Sequence, residues 1–331
     1  MAQADLLVKL VKSASNNDQL TLRKTVETLI QEEKANGHRI LAERLVKALE
    51  PTVTKPLMSE SFHQNGSNGQ YKDFVYEITP ERSLSSLVLR DDIYDQINEV
   101  VEEQHRSELL HAHNLRARNR LLFIGPPGNG KTTLAEALAH ELMYPLLVVR
   151  YENLVGSYLG ETSGRLKNLF NFAKTQRCVI FFDEFETLGK ERGDTHETGE
   201  IKRVVSSLLL QIDDLPDYVV VVAASNHPEL LDRAVWRRFQ VRVELPLPTQ
   251  EQLTRFISDF ETRCNIVFGY KPEELAKQFI GVNFAEVEEF CLSVVRRAVL
   301  DRQTENAKAI TATKLKQRKE NAIHKDIKME E

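Results

Sequence analysis

The sequence has little cysteine: three residues in 331, at Cys178, Cys264 and Cys291, far apart and without metal-like spacing. Neither a disulfide framework nor a zinc site is indicated, and a reducing compartment is expected. Long apolar runs are missing as well. The longest, Tyr218 to Ala224, is far too short to span a bilayer, so no membrane partner is expected. Met1 to Val11 carries Asp5 and Lys9 where a signal peptide would be apolar, and no small-residue cleavage site follows. A cytoplasmic protein is expected. No repeat period runs along the chain, which argues against a solenoid. Positive charge is not in excess either: 44 basic against 49 acidic side chains give a net charge of -5. Bulk attraction to nucleic acid is therefore not expected, although a local patch is not excluded.

What is present is an ordinary globular balance, 41% hydrophobic and 28% charged residues, with length for two folded units plus tails. Over residues 1–50, apolar positions recur at helical spacing, as in Leu22, Val26, Leu29 and Ile30. They suggest a small helical bundle with little core of its own. Residues 51–79 read as a linker, polar and glycine-bearing from Ser59 to Gln70; Tyr71 to Ile78 is either a strand or an extended lead-in. From residue 80 to 248, short apolar runs at Leu121 to Gly125, Leu146 to Arg150, Val179 to Asp183, Val219 to Ala224 and Val241 to Leu245 alternate with helical patterns. This is the pattern of an α/β fold with a parallel sheet covered on both faces, whose ligands bind at the carboxyl ends of the strands. Residues 249–310 read as all helical: Thr249 with Gln252 forms a capping box, Pro272 suits a first turn, and Asn283 with Glu286 opens a helix to about Arg302. Residues 311–331 read as a charged helix fraying into a tail.

The chemistry concentrates in three places. Gly125-Pro126-Pro127-Gly128-Asn129-Gly130-Lys131-Thr132, followed by Thr133, matches a phosphate-binding loop between a predicted strand and a predicted helix. Backbone N–H groups would curl around the β-phosphate of a nucleotide, Lys131 would bridge the β- and γ-phosphates, and the Thr132 hydroxyl would hold Mg²⁺. The strand Val179 to Phe182 ends in Asp183 and Glu184. Asp183 would orient the Mg²⁺ shell and Glu184 would polarise the attacking water. Asn226 follows the next apolar strand and would bond the water or the γ-phosphate, unless it is only a turn asparagine before Pro228. Arg237 and Arg238 are either a solvated basic pair or a source of positive charge for the transition state.

These motifs, in this order, resemble the AAA family of ATPases, closest to single-ring members such as spastin, katanin and the bacterial Cdc48-like proteins. The resemblance covers about Glu81 to Arg302 and includes Ala223-Ala224-Ser225-Asn226-His227-Pro228 and Arg237-Arg238-Phe239. It implies a P-loop NTPase sheet with a helical lid at 249–310, and the Walker A, Walker B and sensor-1 roles for the residues above. It makes Arg237 and Arg238 the paired arginine fingers that act on a neighbouring subunit's nucleotide. Fingers supplied in trans imply a closed homo-oligomer, by family rule a hexamer. Gly281-Val282-Asn283-Phe284-Ala285-Glu286 stands where the family has Gly-x-Ser-x-Ala-Asp beside the adenine, so Gly281 and Ala285 are expected at the base. Where relatives carry Asp-Ile-Gly-Gly this chain has Leu84-Ser85-Ser86-Leu87-Val88-Leu89, and backbone around Leu89 is expected to meet the adenine.

Val155-Gly156-Ser157-Tyr158-Leu159-Gly160-Glu161 resembles the family's first pore loop, with Tyr158 and Leu159 as the pair that grips a polypeptide substrate. An aromatic there can hold extended chain by area and stacking, though Tyr158 packed in the core is the blander alternative. Lys190 to Gly199 matches the second pore loop by position only. The expected function is an ATP-hydrolysing ring motor that remodels or threads proteins. A nucleic-acid-handling loader and a nucleotide-gated scaffold are the alternatives from other classes. Stretches such as Leu87-Val88-Leu89 and Gly160-Glu161-Thr162 are also similar to bacterial AAA proteins encoded beside subtilisin-like proteases. A separate protease is thus an expected partner, since the chain itself has no Gly-x-Ser-x-Gly or His-Glu-x-x-His.

Overall fold

The computed structural model describes Thr28 and residues 75–149, 159–188, 197–302 and 306–329, those from Val75 onward falling in one compact unit. Thr28 apart, the bundle expected over 1–50 and the linker as far as 74 lie outside the described residues.

In chain order the elements are β1 (Val75–Ile78), α1 (Asp91–His105), α2 (Ser107–Ala112), β2 (Arg120–Ile124), α3 (Lys131–Leu142), β3 (Leu146–Val149), α4 (Leu159–Ala173) and β4 (Cys178–Phe182). Then come α5 (Glu197–Asp213), β5 (Val219–Ser225), α6 (Arg233–Arg238), β6 (Val241–Glu244), α7 (Gln250–Cys264), α8 (Pro272–Lys277), α9 (Phe284–Leu300) and α10 (Lys308–Met329). The six strands lie in the order β1-β3-β4-β5-β2-β6, and only β1 is antiparallel to its neighbour. The α/β architecture expected from the apolar runs is present, in the P-loop NTPase form that the family resemblance implies.

Both faces of this sheet are covered, which is why its central strands are apolar without alternation. Leu122, Ile180, Phe182, Val221 and Ala223 point into one core with α4 and α5, and Leu121, Phe123, Val179, Phe181, Val220 and Val222 into the other with α1 and α3. All seven residues of β5 are buried. Val75–Ile78, which composition places in the linker, is instead an edge strand paired with β3. Only Val75 of its four residues is buried, so its sequence carries little strand signal.

The helices after β6 build a third core around Leu253, Ile257, Phe260, Phe268, Phe279, Val287 and Val294. The Thr249–Gln252 capping box is formed in full, and Asn283 caps α9 by accepting the Glu286 N–H at 2.8 Å. Asn283→Ala should remove that cap at a cost of about 1 kcal/mol, read as a lower urea midpoint. One boundary differs. The helix expected to be a tail from residue 311 starts at Lys308, and its first turn is core: Ile310 and Thr311 are buried, and the Thr311 hydroxyl donates to the Phe268 carbonyl at 3.0 Å. Arg318 also lies over the Phe279 ring, 4.4 Å from its centroid, so basic charge here accompanies packing rather than replacing it.

Candidate active site

Strand register sets the site. Ile124 pairs with Ser225 and with Glu244, and Phe182 pairs with Ala223, so the carboxyl ends of β2, β4, β5 and β6 finish close together. The glycine-rich loop follows β2, Asp183 and Glu184 follow β4, Asn226 follows β5, and Leu245 follows β6. Pro127, Gly128, Asn129, Gly130, Lys131, Thr132, Thr133, Asp183, Glu184, Asn226, Leu89 and Ala285 all line one cavity of about 490 Å³. A nucleoside triphosphate is of a size to fit such a space.

Lys131 opens α3 and is 6% exposed. Its Nζ donates to the carbonyls of Gly125 at 2.7 Å and Pro126 at 3.0 Å, two loop residues that do not themselves line the cavity. Burial pushes the ammonium's pKa down, against the pull of Asp183 and Glu186. A phosphate oxygen is a stronger acceptor than either carbonyl, and this desolvated cation is positioned to take one.

The Thr132 hydroxyl donates to Asp183 Oδ2 at 3.3 Å, bringing a hydroxyl and a carboxylate from two elements together. Two hard oxygen donors beside a phosphate loop suit Mg²⁺, which takes one or two protein ligands and fills the rest of its shell with water and phosphate. Among the described residues no group of three or more His, Cys, Asp or Glu could cage a metal ion alone. Asp183 Oδ1 also accepts the Glu184 N–H at 2.9 Å. Glu184 itself has φ of 46°, a left-handed conformation that costs a non-glycine residue energy. The turn holds it there: Thr187 donates both its N–H and its hydroxyl to the Glu184 carbonyl, each at 2.8 Å. Backbone strain at an acid on the cavity wall marks a side chain whose direction matters.

One acid was not legible in the motif. Glu186 is 3% exposed, its Oε1 accepts the Asn226 N–H at 3.2 Å, and its Oε2 is buried without a partner. It ties the end of β5 to the turn after β4 and adds negative charge beneath Lys131. Its only sequence signal is a second carboxylate three residues after Asp183. The helical unit contributes to the cavity as well. Phe256 of α7 and Phe284 of α9 line the cavity with ring centroids 5.2 Å apart, opposite the strand ends and near Leu89. Their periodicity marks them only as core.

Other expected residues fall elsewhere. Gly281 does not line the cavity; its φ of 82° serves the turn that precedes the Asn283 cap, and apart from its chain neighbours no heavy atom lies within 4 Å of where its side chain would begin. Ala285 does reach the site, donating its N–H to the Gly128 carbonyl at 3.0 Å and so joining the helical unit to the phosphate loop. Arg237 and Arg238 end α6, away from the cavity lining. Tyr158 lies outside the described residues, as do residues 190–196 of the second pore-loop stretch; Leu159 is the first residue of α4, its side chain undescribed.

The profile of the ATPase family associated with various cellular activities (AAA) matches residues 121–247. An uncharacterized AAA family ATPase of Sinorhizobium fredii is 34% identical over 313 residues, which cover 92% of this chain and 91% of that protein. A putative 26S proteasome regulatory subunit homolog of Methanothermobacter marburgensis is 32% identical over 56% of this chain and 51% of that protein. Spastin of Anopheles gambiae is 28% identical over 86% of this chain and 33% of that protein. The chain thus spans nearly all of the first relative, half of the second and a third of the last.

Proposed function

Since the chain belongs to the AAA family of ATPases, we propose that it works as a homo-oligomeric ring, by family precedent a hexamer, that uses ATP hydrolysis to remodel or thread cytoplasmic protein substrates. The observation that carries the reading is the convergence of Lys131, Thr132, Asp183, Glu184 and Asn226 on one cavity. Each has a task in phosphoryl transfer. Lys131 neutralises charge on the β- and γ-phosphates, and the Asn226 side chain orients the nucleophile. Glu184, on the cavity wall at a left-handed backbone position, polarises the attacking water. Thr132 and Asp183 would hold Mg²⁺, which would supply positive charge to offset that of the phosphates. Leu89, Phe256, Phe284 and Ala285 would enclose the base. Positive charge from the end of α6 of a neighbouring subunit completes the site.

Movement of the helical unit is the natural output. The first turn of α9 in that unit bonds directly to the phosphate loop, Ala285 N–H to the Gly128 carbonyl, so a change at the γ-phosphate would alter a contact between lid and loop. Tyr158, just ahead of α4, and Leu159, its first residue, are the proposed grip on polypeptide. The residues 1–50 bundle is the proposed recruiter of substrate, and a subtilisin-like protease the proposed separate partner, both on sequence grounds alone.

Tyr158→Ala should leave basal ATP turnover within about twofold while removing its stimulation by an unfolded polypeptide such as casein, because the grip is made by side-chain area and stacking. ATPase rates with and without casein, and with single-stranded DNA as a control, decide the matter. Casein stimulation that survives the substitution would remove Tyr158 from the grip. Stimulation by DNA but not by casein would favour the nucleic-acid loader.

A further inference from the structure

The two arginines at the end of α6 are not equivalent. Arg238 Nε donates to Asp213 Oδ2 at 2.8 Å and its Nη1 donates to the Ala234 carbonyl at 3.1 Å, so both faces of its guanidinium are engaged within its own subunit. Asp213 is the last residue of α5, and its other oxygen accepts from Arg120 Nη1 at 2.6 Å at the start of β2. One carboxylate therefore ties together a helix end, a central strand and α6. Arg237 is exposed and enters no hydrogen bond or ion pair among the described residues. Successive helical residues point about 100° apart, so the turn that directs Arg238 toward Asp213 directs Arg237 away from it.

The rest of α6 is anchored to the same body. Asp232 caps it by accepting the Ala234 N–H at 3.0 Å, and Arg242 of β6 lies over the Trp236 ring 5.3 Å from its centroid. Phe239, buried just past the helix, meets Phe185 edge to face at 5.9 Å, one residue after Glu184. A helix fixed on all these sides holds Arg237 outward at its C-terminal end; Arg233, also exposed and unengaged among the described residues, stands a full turn back at its start.

We propose that Asp213 and Arg238 form a strut within the subunit that aims α6, leaving Arg237 alone as the arginine that reaches a neighbouring nucleotide. This division rests on the reading of the chain as a ring ATPase with charge supplied in trans. It makes Arg238 and Asp213 positioning residues and Arg237 the catalytic one. A strut needs a cation and a hydrogen bond, which lysine keeps in part. A finger needs the planar guanidinium, which lysine lacks.

The test uses the full chain with Arg237→Lys, Arg238→Lys, Arg238→Gln, Asp213→Asn and the Asp213→Asn/Arg238→Gln double variant. Steady-state ATP kinetics, particle size and thermal midpoint are measured for each. Arg237→Lys should lose about a hundredfold or more in kcat. Arg238→Lys should stay within about threefold of the parent. Asp213→Asn and Arg238→Gln should each lose about fivefold in kcat at unchanged KM, and the double variant no more than the worse single one. The division is overturned if Arg238→Lys is as damaging as Arg237→Lys, if Asp213→Asn is indifferent while Arg238→Gln is not, or if their effects multiply. Parent-like turnover in Arg237→Lys would instead defeat the underlying reading of charge supplied in trans. Should Arg238→Gln lose its fold, Arg238→Lys and Asp213→Asn decide alone.

Discussion

Glu184→Gln should reduce ATP turnover by about a thousandfold, in the range that removal of a positioned general base costs, while ATP affinity changes by less than about threefold. The amide keeps the size of the side chain and loses the charge that draws a proton from water. Binding should survive because the contacts that fix this turn do not use the Glu184 side chain. Asp183 Oδ1 accepts the Glu184 N–H, and Thr187 donates to the Glu184 carbonyl. The phosphate-facing groups, Lys131 and Thr132, also stay where they are. Assembly should shift toward the ring, since ATP would be held without release. Turnover by phosphate release, affinity by a fluorescent ATP analogue and particle size by light scattering check the three parts. Hydrolysis at the parent rate would take Glu184 out of its role, and lost binding would show that its charge supports the site rather than the reaction.

The loop between β2 and α3 was legible because its pattern is contiguous: eight residues in a row, Gly125 to Thr132, mark the passage from strand to helix. The Thr249 and Asn283 caps were legible for the same reason, since their partners lie three residues on. What stayed hidden depends on contacts across the fold. Val75–Ile78 is a strand because β3 lies beside it, and a half-exposed edge needs little apolar alternation. Glu186 matters through Asn226, forty residues away, and Phe256 becomes a cavity wall only when α7 and α9 cross at the strand ends. Gly281 is expected beside the base through resemblance alone; in the fold it lies outside the cavity lining, at a backbone position whose φ of 82° itself favours glycine. The likeness of Arg237 to Arg238 in sequence conceals the difference that Asp213 imposes on them in space.

Gly125→Ala should be more disruptive than its single methyl suggests. Gly125 has φ of 144°, and a Cβ there would sit 2.2 Å from the Leu245 carbonyl oxygen, a backbone atom of the neighbouring strand end. That oxygen cannot rotate aside, because the Leu245 N–H donates to the Ile124 carbonyl at 2.8 Å and holds the two strands in register. Relief requires either parting β2 from β6 or swinging the loop off the strand. Overpacking and an unfavourable backbone each cost about 1–3 kcal/mol, so a loss of about 3 kcal/mol or more is expected, a large share of a typical domain's stability. The loop pays in function as well as in stability. Lys131 Nζ is aimed by the Gly125 and Pro126 carbonyls, and moving them moves the cation meant for the phosphates. The urea midpoint should therefore fall and ATP affinity should weaken at least about tenfold, since a misplaced charge-assisted bond is worth 1.5 kcal/mol or more. An unchanged midpoint with unchanged affinity would mean that the loop can shift without its strands, and that the close approach of Gly125 to Leu245 is not what sets the phosphate cradle.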